Sequence, residues 1–379
     1  MSENDILGDA VERLEWDERK VDGSPMKKAR QFTRRTALTG AAAGVAAAAL
    51  EACGGSSHPG NASGASGSAA SDIFGVNEKY HFVMVNHVTT NVFFTPTQNG
   101  AADACKLLGC TYTWTGSSTS NVSEMVNSIN SAVSAKAHGI ATSLIDPTAF
   151  TRPVHSALNA NIPVVAYNAD EPQTGRLAYI GQDLLVSGQQ MGEHIVSLLP
   201  NGGHIALFIA TPGAANIQPR IDGAKDTLKS HSNISYDVVA TGAAVPAELT
   251  VINSWATGHP TAKGMFAVDA GSTQGVAQTI QKQGLKAKGW VGGGYDLTPI
   301  TEQLLHAGYI QFTIDQQPYL QGFLPILQLY MFNASQRLSG IADVDTGLKF
   351  LDNGTVVPYS STKSRYEGTG TSPGVQRAK

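Results

Sequence analysis

His204-Ile205-Ala206-Leu207-Phe208-Ile209 is a run of six residues, four of them large and apolar, followed by a Pro/Gly-containing loop and a helical pattern from about Pro219. A short apolar run bounded by turn residues reads as a strand buried on both faces, as in a parallel sheet. Residues 80–86 open the same order earlier in the chain: strand, polar loop, then a helix over 95–108. The two helix starts echo each other, Asn99-Gly100-Ala101-Ala102-Asp103 against Asp222-Gly223-Ala224-Lys225-Asp226. The pattern therefore restarts at residue 204, and the chain is read as two similar lobes.

Working outward, strands are expected at 111–114, 140–145, 164–166 and 177–180 in the first lobe. Those of the second are expected at 264–268, 289–291 and 310–314. Ser120 or Asn121 is placed to cap a helix with Val122, Met125, Val126, Ile129 and Val133 on one face, ended by Gly139. Pro153 suits the first turn of the next helix. A long helix over 318–333 carries Leu320, Phe323, Leu324, Leu327 and Tyr330 at helical spacing. Strands alternating with helices specify an α/β fold of two doubly wound parallel-sheet lobes.

The chain has 379 residues, with 26 basic against 30 acidic, a net charge of −4, 42% apolar and 15% charged residues. No basic excess is available to neutralise phosphates, so no nucleic-acid partner is expected. Three Cys are too few for a disulfide scaffold. Cys105 and Cys110 could bridge across the end of the first helix, or serve as two small buried residues.

Ahead of the lobes, Arg34-Arg35 precedes a weakly apolar run over 36–50, too short to span a bilayer, which fits an export signal. Thr33-Arg34-Arg35-Thr36-Ala37-Leu38 resembles the twin-arginine signal. Leu50-Glu51-Ala52-Cys53 resembles a bacterial lipobox, apart from Glu51, and implies acylation of Cys53. Residues 1–52 are thus read as a signal peptide and 53–76 as a Gly/Ser/Ala tether that cannot bury a core. Removal of the signal leaves 18 basic against 21 acidic residues, a net −3. The lipid would be the only membrane attachment, and residues 361–379 are read as a polar tail.

In an open parallel sheet the ligand sits beyond the carboxyl ends of the strands. The loops there are rich in planar polar groups and aromatics: Asn91 with Phe93 and Phe94, Tyr167 and Asn168 with Asp170, Asn216 with Gln218 and Arg220, Asp269, Asp296, and Gln316 after Asp315. Carboxylates, amides and guanidinium hydrogen-bond neighbouring hydroxyls, while flat rings cover the C–H faces of a sugar. Structural roles compete at several of these positions. Phe93, Phe94 and Tyr167 could be core, Asp296 could cap the helix after Thr298-Pro299, Arg220 could pair with Asp222, and Gln316 could brace a hinge. No His or Cys stands at metal-ligand spacing, so no metal and no cofactor are expected. Gly202-Gly203 and Gly292-Gly293-Gly294 lack the endings of phosphate-binding loops and read as turns.

These motifs resemble the bacterial sugar-binding proteins of the ribose- and galactose-binding type that serve ABC importers. Asn91-Val92-Phe93-Phe94 is similar to the family's Asn-x-Phe-Phe loop, and Pro219-Arg220-Ile221-Asp222-Gly223 to its Arg-x-x-Gly helix start. Val268-Asp269, Gly294-Tyr295-Asp296 and Thr313-Ile314-Asp315-Gln316 follow in the family's order over 77–350. The resemblance implies the type I periplasmic-binding fold, two lobes joined by a three-strand hinge that close over a ligand. By it the first lobe is 77–182 plus 316–343 and the second 183–315 plus 344–360. The implied protein is an extracytoplasmic lipoprotein of the cell envelope, a monomer and not an enzyme, binding a monosaccharide, polyol or small glycoside for an ABC permease and its ATPase.

Asn168-Ala169 stands where ribose binders carry Asp-Arg, and Asn216 and Gln218 where an Arg is frequent, so ribose is not the first expectation. Two other functions share these residues: a subunit reporting sugar to a sensor kinase or chemoreceptor, and a glycoside hydrolase using Asp269 and Asp296 as its acid and base. A sugar-responsive repressor would need a helix-turn-helix where the export signal lies.

Overall fold

The computed structural model describes residues 79–362 and residue 372. The signal peptide, Cys53, the tether and nearly all of the tail lie outside the described residues. Two six-stranded sheets carry the fold, and their orders are the same. In the first, β1 (His81–Asn86), β2 (Thr111–Gly116), β3 (Gly139–Thr142), β4 (Val164–Tyr167), β5 (Ala178–Gly181) and β11 (Val344–Asp345) lie in the order β11-β5-β4-β3-β1-β2. The second holds β6 (Gly203–Ile209), β7 (Ile234–Ala240), β8 (Gly264–Ala267), β9 (Val291–Tyr295), β10 (Phe312–Asp315) and β12 (Lys349–Leu351), in the order β12-β10-β9-β8-β6-β7. All neighbours pair in parallel except β10 with β12.

Ten helices cover the sheets among the described residues: α1 (Thr95–Leu108), α2 (Val122–Ser134), α3 (Thr151–Asn159), α4 (Leu184–Leu198), α5 (Gln218–Leu228), α6 (Val245–Gly258), α7 (Ala270–Lys282), α8 (Pro299–His306), α9 (Leu320–Ala334) and the short α10 (Val357–Ser361). The opening strands show why both faces need cover. Along β1, Phe82 and Met84 join the core under α1 and α9, while Val83 and Val85 join that under α2 and α3. On β6, Ala206 and Phe208 face α6 and α7, and Ile205, Leu207 and Ile209 face α4 and α5. Strands apolar at consecutive positions are what two covered faces demand.

The repeat reaches the helix contacts. Gly100 and Gly223 are each the sixth residue of their helix, with Pro second. A Cβ on Gly100 would collide with the Tyr319 carbonyl of the chain entering α9, and one on Gly223 with the Leu185 carbonyl of α4. Gly322 and Gly188 return the contact against Thr97 and Arg220. Both lobes thus bring the helix after a crossover into close contact with the helix after the opening strand.

Several expectations shift. Gly139 begins β3 rather than ending α2, which stops at Ser134, and Asn121 is its cap. The edge strand β7 is additional to the expected strands; its burial alternates and its polar residues leave no apolar run to mark it. Gly292, Gly293 and Gly294 lie inside β9, not in a turn. Added Cβ atoms there would strike Ile280, Phe312 and Thr273, so the run is cleared for close packing of α7 and β10. The last crossover falls after Val344–Asp345, which pair with Ile180–Gly181 in the first sheet, two residues beyond the expected 343/344 boundary. Cys105 and Cys110 are free buried thiols, and Cys110 N donates to Cys105 O at 3.1 Å across the end of α1.

Candidate ligand-binding site

In each sheet, chain order reverses between the opening strand and its inner neighbour, β1/β3 and β6/β8, which opens a crevice at the carboxyl ends. The two crevices face each other across a cavity of about 290 Å³. The lobes touch at its rim. Ala215 N donates to Ile145 O at 3.0 Å, and Asn216 Nδ2 lies 3.4 Å from His87 Nε2.

The first-lobe wall is aromatic and amide. Asn91 caps the single turn Val92–Phe94 by accepting from Phe93 N at 3.0 Å, which sets both rings against the cavity. Phe93 and Phe94 meet edge to face at 4.7 Å, and His87 meets Phe94 likewise at 5.2 Å. Trp114 backs Phe94. Asn168, in left-handed backbone (φ 64°), donates to Gln316 Oε1 and Gln321 Oε1 while its own Oδ1 is buried without a partner.

The second-lobe wall is charged. Asp269 stands two residues past the end of β8 and caps α7, accepting from Ser272 N at 2.8 Å and, across the β6/β8 crevice, from Ala210 N at 2.9 Å. Asp296 accepts from Gln316 Nε2 at 2.7 Å; Thr298, not Asp296, caps α8. Arg220 is 2% exposed, donates to Val268 O at 2.9 Å and lies 4.0 Å over the Tyr295 ring. It has no ion pair with Asp222, whose carboxylate accepts from Gln218.

Burial sets the protonation pattern. It lifts the Asp296 carboxyl to about 7 against the opposing pull of Arg220. Asp269 is also raised by burial, although hydrogen bonds from Ser272 and Ala210 and the Arg220 charge oppose the rise. Desolvation holds the His87 imidazole down at about 4, so it is neutral.

Nine of the twelve expected residues line the cavity: Asn91, Phe93, Phe94, Asn168, Asn216, Arg220, Asp269, Asp296 and Gln316. Three do not. Tyr167 is wholly buried in the first core with its hydroxyl on Asn86 Oδ1, because β4 turns it beneath the sheet surface. Asp170 pairs bidentately with Arg176 at 2.6 and 2.8 Å outside the cavity. Gln218 ties Gly213 N to Asp222, closing the loop before α5.

His87 and Glu248 were missed. His87 follows β1 directly, a position that the carboxyl-end rule could have found. Glu248 stands in the first turn of α6 and no motif marks it. It is 2% exposed, its Oε2 has no partner, and burial followed by the Asp269 charge pushes it up to about 8. Gly271 leaves the space it fills, since a Cβ there would strike the Glu248 carboxyl. Among the described residues, four of the eight unpartnered buried side-chain atoms belong to residues lining this cavity: Asn168 Oδ1, Asn216 Oδ1, Arg220 Nε and Glu248 Oε2. Unmet donors and acceptors beside flat rings make a surface for a compact polyhydroxylated molecule.

A family model described as periplasmic binding protein domain matches residues 82–334. The chain belongs to that family. This periplasmic binding protein is 52% identical over 306 residues to the xylose/arabinose-binding protein XylF of Sulfolobus acidocaldarius, covering 77% of this chain and 75% of that one. It is 25% identical over 244 residues to the ribose import binding protein RbsB of Escherichia coli, covering 62% and 78%. Among solved structures, an ABC transporter solute binding protein from Burkholderia graminis in complex with D-arabinose superposes with a TM-score of 0.70 and 26% identity, covering 76% of this chain and 98% of that chain. A carbohydrate transporter from Acidothermus cellulolyticus in complex with myo-inositol gives 0.67 and 26%, covering 75% and 97%. The type I two-lobe fold of this periplasmic binding protein is that of these neighbours.

Proposed function

We propose that this protein is an extracytoplasmic receptor that captures a monosaccharide, an aldopentose such as xylose or arabinose first, between its lobes and hands it to an ABC permease. The observation that carries the reading is the cavity between the lobes, with rings on one wall and buried, partly unpartnered carboxylate, amide and guanidinium groups on the other. The 52% identical relative is a xylose/arabinose-binding protein, which favours a pentose over the larger polyols and glycosides.

The protein performs no chemistry on the sugar. Asp269 and Asp296, the two carboxylates a glycoside hydrolase would need, are held by Ser272, Ala210 and Gln316, which suits fixed acceptors for hydroxyls. Lipid attachment at Cys53 and a monomeric state complete the proposal, so that the anchored receptor presents both lobe surfaces to one permease.

Isothermal titration with D-xylose, L- and D-arabinose, ribose, glucose and myo-inositol tests it. Saturable binding of one or two aldopentoses with no product formed from aryl glycosides is the expected result. Absence of binding by every sugar, after denaturation and mass analysis show no co-purified ligand, overturns it.

A further inference from the structure

At the opposite end of the second sheet from the cavity, three side chains that are distant in sequence converge. His204 lies near the start of β6, Asp237 in β7, and His259 just past α6. Six extended residues separate His204 from Ala210 at the cavity, about 20 Å at ~3.3 Å per residue. His204 Nε2 is 3.1 Å from Asp237 Oδ2, and His259 Nε2 is 3.6 Å from the same oxygen. One ligand atom from each of the three fits within a 4.8 Å cluster.

The surroundings fix all three. His259 Nδ1 is 2.8 Å from the Trp255 carbonyl oxygen, which makes Nδ1 the donor and leaves the Nε2 lone pair aimed at the cluster. His204 Nδ1 is occupied by Ser235 Oγ at 3.0 Å, so its Nε2 also faces inward. The Trp255 ring stacks on His259 at 4.4 Å, and its Nε1 donates to Asp237 Oδ2 at 2.9 Å. Trp255 is itself buried in the core against Phe208 and Trp290. One buried indole therefore orients a histidine and a carboxylate of the trio.

We propose that His204, Asp237 and His259 bind one divalent transition-metal ion of the zinc type, with water at the remaining position. Imidazole nitrogen with a carboxylate oxygen is a donor set that suits zinc, nickel or copper and not magnesium or calcium. Zinc bonds to these atoms at about 2.0–2.1 Å, which sets tetrahedral ligand separations near 3.3 Å, between the two observed spacings. The Ser235 hydroxyl and the Trp255 carbonyl, each on an Nδ1 atom, are the kind of hydrogen-bond partner that orients a ligating histidine. All three side chains are partly exposed, so an ion and its water have a direct path in. The bound ion would pin edge strand β7 and the end of α6 to β6. No short motif signals this trio, because its members belong to three separate elements.

The test is titration of the purified, chelator-stripped full chain with zinc chloride by calorimetry and thermal melting, with cobalt chloride in parallel for its visible absorption. One equivalent is expected to bind at micromolar zinc, to raise the melting temperature and to give tetrahedral cobalt bands. His259→Gln and His204→Gln are each expected to weaken zinc binding at least about tenfold. Both should leave sugar affinity unchanged, which also shows that they fold. Calcium and magnesium should not bind here. No stoichiometric zinc uptake, or uptake that survives in the His204→Gln/His259→Gln double variant, overturns the proposal; the second result would assign the metal to other groups, such as the cysteines.

Discussion

Gln316 Nε2 donates to Asp296 Oδ1 at 2.7 Å, so a residue of the second crossover holds a carboxylate of the second-lobe wall. The same side chain reaches the first lobe: its Oε1 accepts from Asn168 Nδ2 at 3.4 Å and from Gln321 Nε2 at 3.1 Å. Ligand wall and hinge are thus one hydrogen-bonded unit, and the bracing and cavity-lining roles anticipated for Gln316 coincide in geometry.

Gln316→Ala should therefore weaken sugar binding more than the loss of a single peripheral contact would. A charge-assisted hydrogen bond contributes about 1.5–3 kcal/mol, or roughly 10- to 150-fold in affinity. Calorimetry reads the loss, and small-angle scattering should find the sugar-saturated variant more open than the parent protein. Retention of full affinity would separate the hinge from the site.

Glu248 should govern pH dependence. Its ordinary value is 4.5 and its folded value about 8. Across that window the folded chain keeps a proton that the unfolded chain has released, so stability falls as pH rises. Asp296, raised from 3.8 to about 7, acts in the same sense. His87 opposes them, since its folded value of about 4 lies below 6.5 and stability rises with pH between the two. Relative to the parent, Glu248→Gln should gain on the order of 1 kcal/mol per pH unit between about pH 5 and 8 in urea unfolding. A pH-independent difference would place Glu248 in a more polar setting.

Gly271→Ala should damage the site through one contact. Its Cβ meets the Glu248 carboxyl, so the cost is expected at about 1–3 kcal/mol, with a clear loss of sugar affinity. Combination with Glu248→Ala should relieve the stability cost by more than about 0.5 kcal/mol, the threshold at which a double-mutant cycle reports coupling. Additive effects would mean that the two residues act separately.

Residues outside the cavity should leave affinity unmoved. Tyr167→Phe removes the hydroxyl on Asn86 Oδ1 and should cost about 1 kcal/mol of stability. Asp170→Asn breaks the Arg176 pair and should cost up to about 1 kcal/mol. Titration of both variants should give the parent's dissociation constant within a factor of about three, and a tenfold change in either would place that residue in the ligand contact.

Residue pattern alone is enough to read the two-lobe α/β fold, because strands buried on both faces must be apolar throughout, and Phe82 to Val85 and Ile205 to Ile209 are. It also located most of the cavity, since loops at the carboxyl ends of strands must converge at the reversal of strand order, whatever their individual conformations. Tertiary structure alone decided which way each loop side chain points. Tyr167 and Asn168 are adjacent, yet one is in the core and the other on the cavity, a choice set by left-handed backbone at Asn168. Glu248 enters from a helix because Gly271, distant in sequence, leaves it room, and His204, Asp237 and His259 meet because β6, β7 and α6 are neighbours in space. Periodicity reports which residues must leave water, but partners brought together from separate elements depend on packing distances that no local pattern encodes.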